Sequence, residues 1–250
     1  MKFYLALFLI IVSSFVPSLS FAQEPQPLFL DVAQKTIDVT TGFEGADVIV
    51  FGIKGASGDL AILISGPEKR IVLRKKEKVS GLWMNRSSMD FRHVPLFYDY
   101  AVSRNEEDIA SPEMLKNLNI GLNYLTFDPD TDKSAEDISM FQDALIRTQQ
   151  QRGLFSLKPK SISFIGAELF RTNFYLPKNI PMGQYKIEAI LLDNGKVIAR
   201  QDMPITVRPK GLAAMILMYA TNFSFAYALT CLIIAVVAGF AGFFLLRKDV

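Results

Sequence analysis

Half of the chain's 250 residues are apolar, and its 27 basic and 25 acidic side chains leave a net charge of only +2. So small a surplus excludes the electrostatics of a nucleic-acid-binding protein, and no nucleic-acid partner is expected. The single cysteine, Cys231, excludes an intrachain disulfide, so any folded domain must stand on its apolar core alone.

In chain order, Phe3–Val16 form a short apolar run behind Lys2, followed by Pro17 and the small-residue exit Ser20-Phe21-Ala22. This is the pattern of a secretory signal peptide over residues 1–22, cleaved before Gln23. From Lys35 to Arg104 the period is that of strands. They are predicted at Ile37–Val39, Val48–Ile53, Leu60–Ile64, Ile71–Val79, Leu82–Met84 and Phe97–Val102. Glycine and proline punctuate the gaps. Gly52, Gly55 and Gly58 lack the dinucleotide-binding spacing and read as turn glycines. Ser111-Pro112-Glu113 opens a helix that runs to about Gly121. Ser134 caps a second helix of about 17 residues, with Ile138, Phe141 and Leu145 on one face and Gly153 just past its end. Strands then return at Ser161–Ile165, Glu168–Leu176, Gly183–Leu192 and Val197–Val207, the last two joined by the tight-turn signal Asn194-Gly195. The class is mainly β: residues 23–208 are read as one immunoglobulin-like β-sandwich domain with a helical insertion at about 105–153.

After the sandwich the chain turns apolar. Ala226–Leu246 is an uncharged run of about 21 residues, roughly 31 Å as a helix, which suffices to span a bilayer. A transmembrane helix is therefore placed at 225–246, with Arg247 and Lys248 in a cytoplasmic stub at 247–250. The leader sends the sandwich outward, which gives a single-pass protein with its folded domain outside the cytoplasm. Residues 209–224 are read as a juxtamembrane amphipathic segment broken from the span near Thr221-Asn222, the alternative being one long projecting helix. A continuous helix over both would measure about 54 Å, far beyond the hydrocarbon layer. Ala235, Ala238, Gly239 and Gly242 are small residues at spacings that let another helix approach closely, which allows self-association or docking on a partner's helix. Tyr219 and Tyr227 suit the interface as aromatic anchors.

Few residues carry chemistry. Asp128, Asp130, Asp132 and Glu136 alternate as calcium ligands do, but Lys133 stands where the calcium loop needs glycine and Ser139 where it needs glutamate. The reading is a solvated acidic turn before a helix N-terminus, and no metal is expected. His93 is the only histidine, and no nucleophile elbow accompanies it, so no catalytic residue and no cofactor is assigned. The one candidate binding site is cationic: Arg70, Arg74, Lys76 and Lys78 share a strand face, and Trp83, Asn85 and Arg86 follow in what reads as a loop. An anion, a phospholipid headgroup or a partner protein fits such a patch; so does an edge strand protected by lysines.

Four blocks carry a resemblance: Lys75-Lys76-Glu77-Lys78-Val79-Ser80-Gly81-Leu82-Trp83-Met84-Asn85-Arg86, Phe91-Arg92-His93-Val94-Pro95-Leu96-Phe97-Tyr98, Glu168-Leu169-Phe170-Arg171-Thr172 and Leu176–Tyr185. They are similar to the alphaproteobacterial putative transmembrane protein family. The resemblance implies a signal peptide, a periplasmic domain and one span in the bacterial inner membrane. It also implies genes for sulfite-exporter-type membrane proteins nearby, as suits a transporter accessory. It brings no functional residue. The function expected is thus a non-enzymatic accessory or binding module for an integral membrane partner such as a transporter, with homo-oligomers through the span as a further association. The alternatives are a tethered hydrolase using carboxylates of the insertion, and an envelope structural or assembly factor.

Overall fold

Alternation of buried and exposed side chains sets the architecture. A computed structural model describes residues 27–79, 81–130 and 133–246; the expected leader, Asp132 and the stub at 247–250 lie outside the described residues. Three sheets form. The first is antiparallel throughout, in the order β1 (Leu28–Val32), β3 (Gly45–Lys54), β11 (Leu169–Pro177), β10 (Ser163–Ile165). The second runs β2 (Thr36–Val39), β13 (Lys196–Pro209), β12 (Gly183–Asp193), β4 (Asp59–Ser65), β7 (Tyr98–Val102), β9 (Lys160–Ser161), with parallel pairing only at its two edges. The third sheet is a long hairpin, β5 (Glu68–Val79) and β6 (Leu82–Pro95), with a short strand β8 (Asp128–Pro129) along it.

Leu28, Leu30, Val48, Val50, Phe170 and Phe174 from the first sheet meet Leu60, Ile62, Ile64, Ile187 and Ile205 from the second in one buried core. Each such side chain contributes about 1.5–3 kcal/mol by leaving water. β4 and β7 are buried on both faces, because the insertion covers the side turned away from the first sheet. That insertion holds α1 (Glu106–Ile109), α2 (Pro112–Leu118) and α3 (Ala135–Gln151). Its Leu115, Ile120, Leu122, Phe141 and Leu145 join the same core. Tyr98 ties it down: its hydroxyl donates to the Asn119 carbonyl (2.6 Å) and accepts from the Gly121 N–H (3.1 Å). Burial pushes the Tyr98 pKa well above the ordinary tyrosine value.

The chain leaves the sandwich at the end of β13 and enters two helices, α4 (Leu212–Asn222) and α5 (Ser224–Leu246). They part at Phe223, whose backbone is non-helical, so the break expected beside Asn222 is present. Across the bend Tyr219 packs on Phe223 and Tyr227, and its hydroxyl lies 3.3 Å from that of Thr230.

Three expectations need correction, and one strand was not foreseen. Leu28–Val32 is a strand that the alternation concealed, because Phe29 is apolar yet faces outward. Gly52 is no turn residue: it lies inside β3, where a Cβ would stand 2.0 Å from the Phe29 carbonyl oxygen and 2.5 Å from the Phe170 ring. Ser161–Ile165 is not one strand; the chain crosses between sheets at buried Ile162. The segment at 209–224 is not amphipathic, since Met215, Ile216, Leu217 and Met218 are consecutive, exposed and spread round all of α4.

Gly52→Ala is expected to destabilise the fold by about 3 kcal/mol or more in urea titrations of the detergent-solubilised chain. Gly42→Ala, which meets nothing within 4 Å, should change stability by less than about 0.5 kcal/mol.

Candidate functional site

The β5–β6 hairpin springs from the same end of the sandwich at which the chain exits. Gly66 and Pro67 connect β4 to β5, and Pro67 packs so closely on Gly183 that a Cβ there would meet its ring at 3.0 Å. Gly183 pairs with Val207, two residues before the end of β13. The exit is itself clamped. Asp38 accepts hydrogen bonds from Arg208 Nε (2.9 Å) and Lys210 Nζ (2.7 Å), and the Lys210 N–H bonds the Val39 carbonyl. The side chains of Lys210 and Arg208 hold the Asp38 carboxyl below its ordinary pKa.

At its base the hairpin is packed and neutralised. Met89 and Phe91 are buried, Phe91 edge-on to Phe127. β8 pairs with Phe91 and Arg92. Asp130 binds Arg92 and, at 3.0 Å, Arg70; Arg70 also binds Asp90. Arg70 therefore leaves the expected cationic patch and becomes part of a buckle between hairpin and insertion. The same buckle uses Asp130 as an arginine partner, and among the described residues no three His, Cys, Asp or Glu side chains gather as metal ligands. His93 is exposed and 3.0 Å from Glu68, at a bulge in β6 where its φ is 51°. Two strand residues oppose one there, which turns the ring outward.

Beyond the base the hairpin stands free. Arg74, Lys76 and Lys78 are exposed, and among the described residues no carboxylate lies within ion-pair distance of them. Lys75 and Arg86 share Glu77 at 3.3 and 3.4 Å. Cross-strand pairing sets the faces: Lys76 opposes Asn85 and Lys78 opposes Trp83, so Trp83 lies on the cationic face. Trp83, Asn85 and Arg86 belong to β6 rather than to a loop, with Arg86 the unpaired residue of a second bulge. At the tip Leu82 is 69% and Trp83 70% exposed. Residues 74–86 carry five cations against Glu77 alone, so the rest of the chain is net negative. His93 and Trp83 lie ten residues apart on β6, about 33 Å of extended strand, and do not share a pocket.

A second surface escaped sequence reasoning. On the outer face of the first sheet Phe29 pairs with Ile53, Ile53 with Leu169, and Leu169 with Ile165. This apolar row crosses all four strands in solvent, with Ile165 61% and Phe29 51% exposed, and Phe51 lies beside it. The signal for it was present in Phe29, Phe51 and Ile53, apolar residues on the outward beat of strands whose inward beat is also apolar. The row lies at the far end of the sheet from the exit, since β3 begins at the exit end, opposite Pro177.

The C-terminal helix is long and apolar enough to cross a membrane: Ser224–Phe243 has mean hydropathy 2.2 and no buried share. Ala235, Ala238, Gly239 and Gly242 fall on one face of it, and Gly239 and Gly242 have open space around them. A family model described as Putative transmembrane protein (Alph_Pro_TM) matches residues 27–248. Among curated proteins none matches the chain.

Asp130→Ala should speed hydrogen exchange in residues 68–75 and 86–95 while changing global stability by less than about 1 kcal/mol, because the buckle is partly solvated. The depressed Asp38 pKa means that its clamp is complete above 3.8 and is lost as pH falls through the folded value. Amide protection over residues 206–210, relative to the rest of β13, should fall in that acid range, and Asp38→Asn should remove the step.

Proposed function

The chain belongs to that transmembrane family, and we propose that it is a membrane-anchored, non-enzymatic binding module whose outer sheet face receives a partner. The apolar row Phe29–Ile53–Leu169–Ile165 carries the reading. Large side chains held in water on a flat sheet gain about 25 cal/mol for each Å² that a partner covers. Anchoring by α5 favours an occupant in the same membrane, an integral protein such as a transporter with an exported part tall enough to reach the far end of the sandwich. The folded domain then lies in the periplasm, with α5 the single span of the inner membrane and its C-terminus cytoplasmic, as the leader pattern at 1–22 supports. The small-residue face of α5 offers the same partner a second contact within the bilayer.

A hydrolase reading finds less support, because Asp130 is held by two arginines and His93 by Glu68. An envelope-assembly factor would differ from the accessory in its partner rather than its surface.

A photoreactive residue at position 53 of the full chain, irradiated in intact cells, should give one adduct with a multi-span membrane protein. Phe29→Glu with Leu169→Glu should abolish it while leaving the chain in the membrane fraction. Adducts only with second copies of the chain, or none, would count against the accessory role.

A further inference from the structure

We propose that the β5–β6 hairpin is a second membrane contact, whose tip enters the bilayer interface while Arg74, Lys76 and Lys78 engage the phosphates of anionic phospholipids. The order of side chains along the hairpin is what points to lipid. Beside the turn β6 is apolar, with Leu82, Trp83 and Met84 all more than half exposed and Met84 opposite Glu77. Lys78 stands level with Trp83, Lys76 and Arg74 follow behind it on the shank, and the packed, neutralised base lies behind them. A bilayer presents the matching order from its interior outward: acyl boundary, phosphates, water. Tryptophan suits the boundary, and long cationic side chains reach the phosphates while their stems lie in apolar surroundings.

Two further observations favour this occupant over a soluble anion or a protein. Free phosphate accounts for the cations but not for three large apolar side chains at the tip. The hairpin is also rooted through Pro67 and Gly183 at the end of the sandwich from which α4 and α5 depart. From the pair Arg74–Ser88 to the pair Val79–Leu82 the hairpin extends about 17 Å beyond the packed base. Anchor and hairpin thus issue from one end, and two contacts with one surface fix the tilt of the domain. This contact is independent of the partner on the outer sheet face.

Trp83 is the only tryptophan of the chain, so its fluorescence reports the tip without modification. The full chain is reconstituted, without other proteins, in nanodiscs of phosphatidylcholine alone and of phosphatidylcholine with phosphatidylglycerol. In the anionic discs the emission should shift to the blue and be quenched by brominated lipid. Both effects should vanish in 1 M salt, where the screening length is about 3 Å, and in the variant Arg74→Glu, Lys76→Glu, Lys78→Glu. An exposed tip in both lipids would overturn the proposal. So would equal quenching in both lipids, since charge would then play no part, and so would a blue shift without lipid quenching, which marks contact with another copy of the chain. The lipid series uses the unmodified chain, and failure here leaves the position-53 adduct untouched.

Discussion

The rest of the molecule takes its orientation from the place where the chain leaves the sandwich. β13 ends with Arg208 and Lys210 both held by Asp38 on β2, and one residue further on Gly211 opens an apolar helix. A clamp at that point means that the rigid domain, not a loose linker, meets the bilayer end of the chain. Every surface can then be ranked by its distance from the exit. The hairpin root is adjacent to it through the Pro67–Gly183 contact, and the apolar row of the first sheet stands at the opposite end.

The insertion explains why the two faces of the sandwich differ. A sheet whose outer side is open to solvent normally alternates apolar and polar residues. Apart from the buried Asp99, which pairs with Lys160 at 3.1 Å, the inner residues of β4 and β7 are apolar on both sides, and the insertion covers their outer side with Leu115, Ile120, Leu122 and Phe141. The first sheet has the same double apolar character at Phe29, Phe51 and Ile53, yet the described chain places nothing over it. One outer face is thus covered from within, and the other keeps its apolar side chains exposed among the described residues.

Much of this was legible in the sequence. Period-two runs located most strands, Ser111 and Ser134 located the starts of α2 and α3, and Asn194-Gly195 located the β12–β13 turn, where both residues have positive φ. The uncharged run from Ala226 marked the anchor, and the family model supports a membrane protein. What stayed hidden depends on pairing across long separations. That Arg70 is neutralised by Asp130 while Arg74 is not cannot be read from a run of basic residues. Trp83 could be core or contact on composition alone; only the pairing with Lys78 places it on an exposed cationic face. The strand β1 was missed because outward Phe29 and inward Leu28 and Leu30 read as one apolar block.

We place the sandwich on the membrane with its exit end down. In a Cys231→Ser background, a donor dye placed by Met182→Cys reports the exit end and one placed by Lys196→Cys reports the far end. The two positions are separated by the length of β12, about 34 Å. Energy transfer to acceptor lipids in nanodiscs should be strong from position 182 and weak from position 196. Equal transfer from both, or stronger transfer from 196, would contradict this placement.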